Sequence, residues 1–450
     1  MDTTFEISLL VGADFYWQIV GDKIIREGPT AVSSRIGFFL SGPLPVNKRN
    51  DVSNVMDVIA THVSETTDLT RFWDIESMGI SKDDNEDTDT SSYLHHYQEA
   101  CITFSDGKYT AMLPWKQIHQ PLPTNYDITK KRTQSTIKRL AQKPSLLKSY
   151  GTLIQEQEKR GFIERVDESS PATRLHYIPH HGVEKNSTTT PIRIVYDCSC
   201  RQSTGSPSLN DCLESTPPEL NDLTTLLLRF RLGRYAVSTD IEKAFLHVGL
   251  HEDDRDVTRF LWLSDPTDPK SELVTYRFRV VLFGATCSPF ILNATLLKHL
   301  SLNVNNPAAD IIARDLYVDN VISSFQEEHE LLTYFRCARD LMTKAGFNLR
   351  SWTSNSRKLR DHAQAENVLD KDRIVKVLGM LWNPDADEMS YVPRPLVHSE
   401  TLTKRSILKQ TSKIYDPLGM LSPVTVRAKL LVQELWKKKF DWDMRLPVDI

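Results

Sequence analysis

The chain has 450 residues, 40% of them apolar and 25% charged, which suits about three domains or one multi-lobed body with a large core. Its net charge of −4 excludes nucleic-acid binding by global electrostatics and leaves only local basic tracks for that purpose. Six scattered cysteines imply no disulfide framework, no apolar run approaches the roughly 18 residues of a membrane span, and no basic-then-apolar leader opens the sequence. The expected setting is cytoplasmic, with no signal peptide, transmembrane segment or membrane partner.

Residues 5–43 carry short β-type runs punctuated by glycine and proline, the material of a small sheet. Residues 46–128 read as a linker, with the acidic run SKDDNEDTDT at 81–90 and a strand-like piece at 100–114. From 129 to 149 there are seven Lys/Arg and no acidic residue, with helical apolar spacing at Ile137, Leu140, Leu146 and Leu147. Helical character resumes through 153–160 and Gly161 ends it. Cys198, Cys200 and Cys212, with His176, His180 and His181 upstream, match no common zinc spacing. Residues 237–383 mix strands and helices but are interrupted too often for a doubly wound sheet. Residues 401–440 read as helical, with nine Lys/Arg against two acidic residues. Basic flanks around a central acidic region suit a groove that follows a phosphate backbone.

Three stretches carry the chemistry. In YAVSTDI the alternation makes Asp240 the end of a strand; alone it reads as a cap or turn former. In FGATCSPFILN a glycine loop leads into a helix opened by Ser288-Pro289. In ARDLYVDNVISSF the pair Asp319-Asn320 reads by itself as a hairpin turn. Asp240 and Asp319 would meet if their strands were neighbours. Converging carboxylates repel unless a divalent cation joins them, and two such ions clamp the attacking and leaving oxygens of a phosphoryl transfer.

In order and spacing these segments resemble the reverse transcriptase of Pao/BEL-type LTR retrotransposons. DIEKAF is similar to the first palm motif, FGATCSPFILN to the second, YVDN to the YxDD box, TKAGFNLRSWTSN to the fourth, and KVLGMLWNP to the primer-grip hairpin. YIPHHGVEKNSTTTPIRIVYDCS is similar to the fingers segment that meets the incoming triphosphate. The resemblance implies an α+β right-hand polymerase: basic helix and fingers at 129–235, palm at 236–385, helical thumb or connection at 386–450. It implies that Asp240 and Asp319 are catalytic metal ligands, joined by the backbone carbonyl of Ile241, with two Mg²⁺ ions or Mn²⁺ in their place. It also implies Lys185 and Arg193 at the triphosphate, Phe245 as the steric gate against a ribose 2′-OH, and Gly284, Ser288 and Pro289 under template and nucleotide. Tyr317 falls near the primer end and Asn320 beside the metal ligands. The implied partners are an RNA or DNA template with primer and a dNTP, and virus-like particles are a further possible location.

Two positions depart from the family pattern. Asn320 stands where the box usually has a second Asp, which keeps an oxygen donor but removes a charge. Leu282 stands where VPFG has proline. Residues 1–45, with LLVG at 9–12, resemble the C-terminal remnant of a retropepsin-like protease, yet no D-T/S-G triplet is present. The chain therefore reads as a fragment of a pol polyprotein, with RNase H and integrase regions expected downstream. Two rival readings stay open: a catalytically decayed nucleic-acid-binding polymerase fold, and an aspartic peptidase, which the missing triplet opposes.

Overall fold

The computed structural model describes residues 20–26, 30–34, 37–41, 86–166, 174–184, 192–393 and 402–447. Lys185 and the LLVG piece lie outside the described residues. The chain falls into two compact units, residues 1–86 with 421–438, and residues 87–420 with 439–450. In the first, Val20–Arg26, Thr30–Ser34 and Gly37–Ser41 pair antiparallel in chain order, the small sheet expected of that sequence. The same unit holds the helix Ser422–Lys437, opened by a serine and proline pair.

The second unit is mixed α/β, built from small sheets. Its central antiparallel sheet has the order Leu316–Tyr317, Asn320–Phe325, Tyr235–Ile241, Leu349–Ser354. Successive side chains of a strand point to opposite faces, so the alternation sorts these residues onto two surfaces. Val237, Ile241 and Val321 enter the main core, which also holds Phe290, Phe335 and Trp352. Ala236 and Ile322 lie on the other face, in a smaller cluster with Leu226, Leu227, Phe230 and Trp382. The smaller cluster covers only one end of that face. Asp240 and Asn320, further along the same face, stay partly accessible. Behind the main-core face packs Glu328–Lys344, whose buried Leu331, Tyr334, Phe335, Ala338, Leu341 and Met342 follow helical spacing.

Three segments differ in detail from the sequence reading. Within 46–128, the strand-like piece expected at 100–114 appears as the hairpin Ile102–Ser105 with Lys108–Ala111, but the residues before it form the helix Glu86–Cys101 rather than linker. Leu94, Tyr97, Ile102, Tyr109 and Leu113 are buried there, an apolar set that the neighbouring acidic run masks in any composition average. Asp106-Gly107 is the turn of that hairpin, both residues at positive φ, 51° and 73°. The basic stretch is two helices rather than one, Tyr126–Ala141 and Pro144–Lys159, because Lys143 precedes a proline and adopts φ −131°. Residues 401–440 likewise divide into Lys404–Thr411, capped by Thr403, and Ser422–Lys437. Among the described residues no helix is long and apolar enough to cross a membrane.

Candidate active site

The hairpin pairs Leu316 with Val321 and Tyr317 with Asn320, which leaves Val318-Asp319 as a two-residue turn. Val318 sits at φ 58°. A β-branched residue in the left-handed region costs of order 1–3 kcal/mol, and glycine or asparagine would relieve it. The surrounding ladder holds the strain. Asn320–Phe325 pairs along its whole length with Tyr235–Ile241, and the Ile241 N–H donates to the Asp319 carbonyl at 2.8 Å.

Because Asn320 stands directly opposite Asp240, the register brings Asp319, in the turn, next to the end of the Asp240 strand. Burial raises the Asp319 carboxyl above its ordinary range and the neighbouring Asp240 charge raises it further. The Asp319 backbone N–H and, to a lesser extent, the Asn320 side-chain amide, which donates to Asp319 Oδ1 at 2.8 Å, work against both. Asn320 therefore binds its neighbouring carboxylate, a bond that an aspartate in its place could not make while ionised.

A strand further on, Arg350 faces Asp240 in register, with its Nε 3.6 Å from Asp240 Oδ2 and one terminal nitrogen 3.3 Å from Glu242 Oε1. Glu242 has two further partners: Asn348 donates to Oε2 at 3.0 Å and Arg160 lies 3.7 Å from Oε1. Burial pushes the Glu242 carboxyl up, but the amide and the two guanidinium groups outweigh it and hold it below the usual range. Glu242 is thus held by two guanidinium groups and an amide, whereas Asp319 is held by its own backbone N–H and the Asn320 amide, with no cation among its partners in the described residues.

The nucleotide-facing candidates form a second grouping. Arg193, exposed on Ile192–Tyr196, lies over the Phe283 ring at 5.7 Å, and Phe283 packs on Phe245 with centroids 4.7 Å apart. Phe245 is on the 3-10 turn Ala244–His247 that follows the Asp240 strand, and it is largely buried in the main core. Gly284 has φ 116°, and a Cβ there would lie 2.3 Å from the Tyr196 carbonyl oxygen, so only glycine fits. Asn210 clamps this loop: its amide donates to the Gly284 carbonyl at 3.3 Å and Ser199 Oγ at 2.9 Å, and its oxygen accepts from the Thr286 N–H at 3.0 Å. Ser288 is buried and spends its hydroxyl on the Leu282 carbonyl at 2.6 Å, which makes it a brace for the loop rather than a surface for template. Pro289 follows it, half-buried, in the first turn of Ser288–Ser301. Tyr317 packs beside the smaller cluster.

The histidine and cysteine group has other work. His180 is fully enclosed, donates from Nε2 to the Leu261 carbonyl at 2.9 Å and accepts at Nδ1 from the Tyr150 hydroxyl. His176 donates to the Pro123 carbonyl at 2.6 Å. Among the described residues no three His, Cys, Asp or Glu side chains gather as a metal cage.

The C-terminal stretch has a recognisable counterpart. Residues 403–450 match the family model described as Pao retrotransposon-like RNaseH-like domain. The match supports a Pao/BEL retrotransposon polyprotein as the source of the chain. It falls within the stretch read from sequence as thumb or connection and gives that stretch an RNaseH-like description instead. No curated protein matches the chain.

Sequence reasoning missed Asn210, Glu242 and Arg350 as functional neighbours. Asn210 follows a good cap, Ser208, and its own side chain is surplus to the short helix Leu209–Cys212, which is a weak signal. Arg350 carries none, because its role depends on a strand register that the sequence does not display.

Proposed function

We propose that residues 129–440 carry out RNA- and DNA-templated DNA synthesis, joining a dNTP to a primer 3′-OH and releasing pyrophosphate. The observation that carries this reading is that Asp319, in a strained turn, lies against the end of the Asp240 strand: Asn320 pairs with Asp240, and the Ile241 N–H donates to the Asp319 carbonyl at 2.8 Å. In this reading the sheet within 236–385 is the palm of a right-hand polymerase and 129–235 the fingers, while 386–450, read from sequence as thumb or connection, overlaps the RNaseH-like match at 403–450.

The donor set fits Mg²⁺. A hard cation is commonly bound through one or two carboxylates with substrate phosphates and water completing the octahedron, so a three-residue protein cage is not required. The raised Asp319 carboxyl fits as well: burial is the main cause and the Asp240 charge adds to it, and a cation would offset both. Asp240 and Asp319 would hold the metal, with the Ile241 carbonyl and Asn320 as further oxygen donors, and Mn²⁺ suits the same donors. Bound ions supply charge neutralisation at the attacking and leaving oxygens. The remaining work belongs to the side chains. Arg193 binds phosphate oxygens in its planar fork. Phe245 and Phe283 shape the floor against which a 2′-OH would clash. Gly284 lets the base pair approach backbone.

A second reading, a nucleic-acid-binding fold without catalysis, is favoured by Asn320, whose position lacks the family's second charge. Primer extension on poly(rA)/oligo(dT) separates the two. Extension by the wild type and its loss in Asp240→Asn are expected. Equal extension by both sinks the site assignment, and template binding without extension by either favours the second reading.

A further inference from the structure

We infer that Arg350 is the resident counter-charge of the carboxylate site, a positioning residue that a divalent cation must displace from Asp240. The inference rests on the polymerase reading of Asp240 and Asp319, and on four observations independent of family. Arg350 stands opposite Asp240 in the ladder, so its stem is aimed at the site by register. Its guanidinium bridges Asp240 and Glu242, at 3.6 and 3.3 Å. The backbone breaks register just beyond it, with Ser351 at φ 52°, so the ladder does not lock the strand past Arg350 into flat pairing. The side chain is 47% exposed, which gives it solvent to swing into.

The bridge is unequal. Glu242 keeps Asn348 and Arg160 when Arg350 leaves, whereas Arg350 is the one cation within salt-bridge distance of Asp240 among the described residues. Displacement therefore frees Asp240 for a metal without stranding Glu242. Before an ion arrives, Arg350 supplies the positive charge beside Asp240, 3.6 Å from Oδ2. A guanidinium and a hard cation cannot use the same carboxylate oxygen at once, so the two compete. The released guanidinium stays next to the site, where phosphate oxygens of a nucleotide are its natural partner.

The test is Mn²⁺ binding to the full chain without nucleotide or template, followed by electron paramagnetic resonance of the free ion. Arg350→Gln, which keeps length and polarity but not charge, is expected to bind Mn²⁺ roughly two- to fivefold more tightly, the size of a partly exposed ion pair. Its melting temperature in EDTA should fall below that of the wild type. Arg350→Lys should stay near wild-type affinity. Asp319→Asn, which leaves Arg350 in place, should lose most Mn²⁺ binding. Unchanged or weaker binding by Arg350→Gln, with Asp319→Asn still impaired, overturns the role of Arg350 and leaves the polymerase reading standing. Wild-type binding by Asp319→Asn overturns both, because the carboxylate pair is then not the cation site.

Discussion

Two buried or half-buried polar centres in the second unit have opposite characters. Around His180 every ring nitrogen is bonded, and the ring is enclosed by Tyr150, Tyr196, Phe260 and Trp262. Around Asp240 and Asp319 the like charges adjoin, the turn is strained at Val318, and one side of the site stays open. A satisfied polar group stabilises the fold and has nothing left to offer a ligand. An unrelieved one destabilises the fold until something binds, which is how a site of action differs from a structural knot. From residue types alone, the histidines and cysteines rival the carboxylates as metal donors. The bonding pattern separates them.

The comparison can be broken most forcefully at Asp319. Replacing it with Asn should lower primer extension by about 10³-fold, several kcal/mol of lost charge stabilisation, while raising the melting temperature of the metal-free protein. The sign follows from the raised carboxyl: stability conferred by the neutral form is present below the unfolded value and is lost as pH rises through the folded one, so a neutral amide removes that loss at pH 7. A fall in both activity and stability would mean that Asp319 is a structural bond-former.

At the other centre, burial pushes His180 down to about 4. A depressed histidine stabilises the fold above pH 6.5 and loses that contribution as the pH falls from 6.5 to about 4, by about 3 kcal/mol in all. Denaturant titrations across that window should show a shallower decline in His180→Gln than in the wild type. Matching slopes would show that the ring is not held neutral by its cage.

Gly284 sharpens the contrast within the proposed site itself. Gly284→Ala puts a methyl 2.3 Å from the Tyr196 carbonyl oxygen at φ 116°, so about 2–3 kcal/mol of stability should be lost by chemical denaturation, together with nucleotide affinity. A stable variant would show that the loop shifts freely. The smallest effect is expected at Asn320. Asn320→Asp loses the bond to Asp319 and adds a like charge, costing about 1 kcal/mol in EDTA, and should gain that back in millimolar Mg²⁺. A loss that Mg²⁺ does not reverse would place residue 320 away from the ion.

Much of the local structure was readable from the sequence. The alternation in YAVSTDI, the turn at Asp319, the Ser-Pro opening of Ser288–Ser301 and the Gly161 stop all appear where side-chain period and turn chemistry put them. From the sequence, Asp240 and Asp319 meet only on condition that their strands are neighbours; the ladder pairs Asp240 with Asn320 and leaves Asp319 in the adjoining turn. What the sequence could not display is non-local. The Arg350 bridge needs a register across a third strand, the Asn210 clamp joins residues 74 positions apart, and the burial of Leu94 and Tyr97 needs partners that an acidic neighbourhood hides. Ser288, assigned to substrate by resemblance, is spent on its own loop. Short-range periodicity encodes elements, whereas a charge network exists only after they pack.

The most direct test is backbone scission by Fe²⁺ substituted for Mg²⁺, with ascorbate and peroxide, read by mass spectrometry. Cuts beside both Asp240 and Asp319 are expected, suppressed together by excess Mg²⁺ and lost together in Asp240→Asn. Scission beside one carboxylate alone, or unaltered scission in Asp240→Asn, would contradict a cation shared between the two strands.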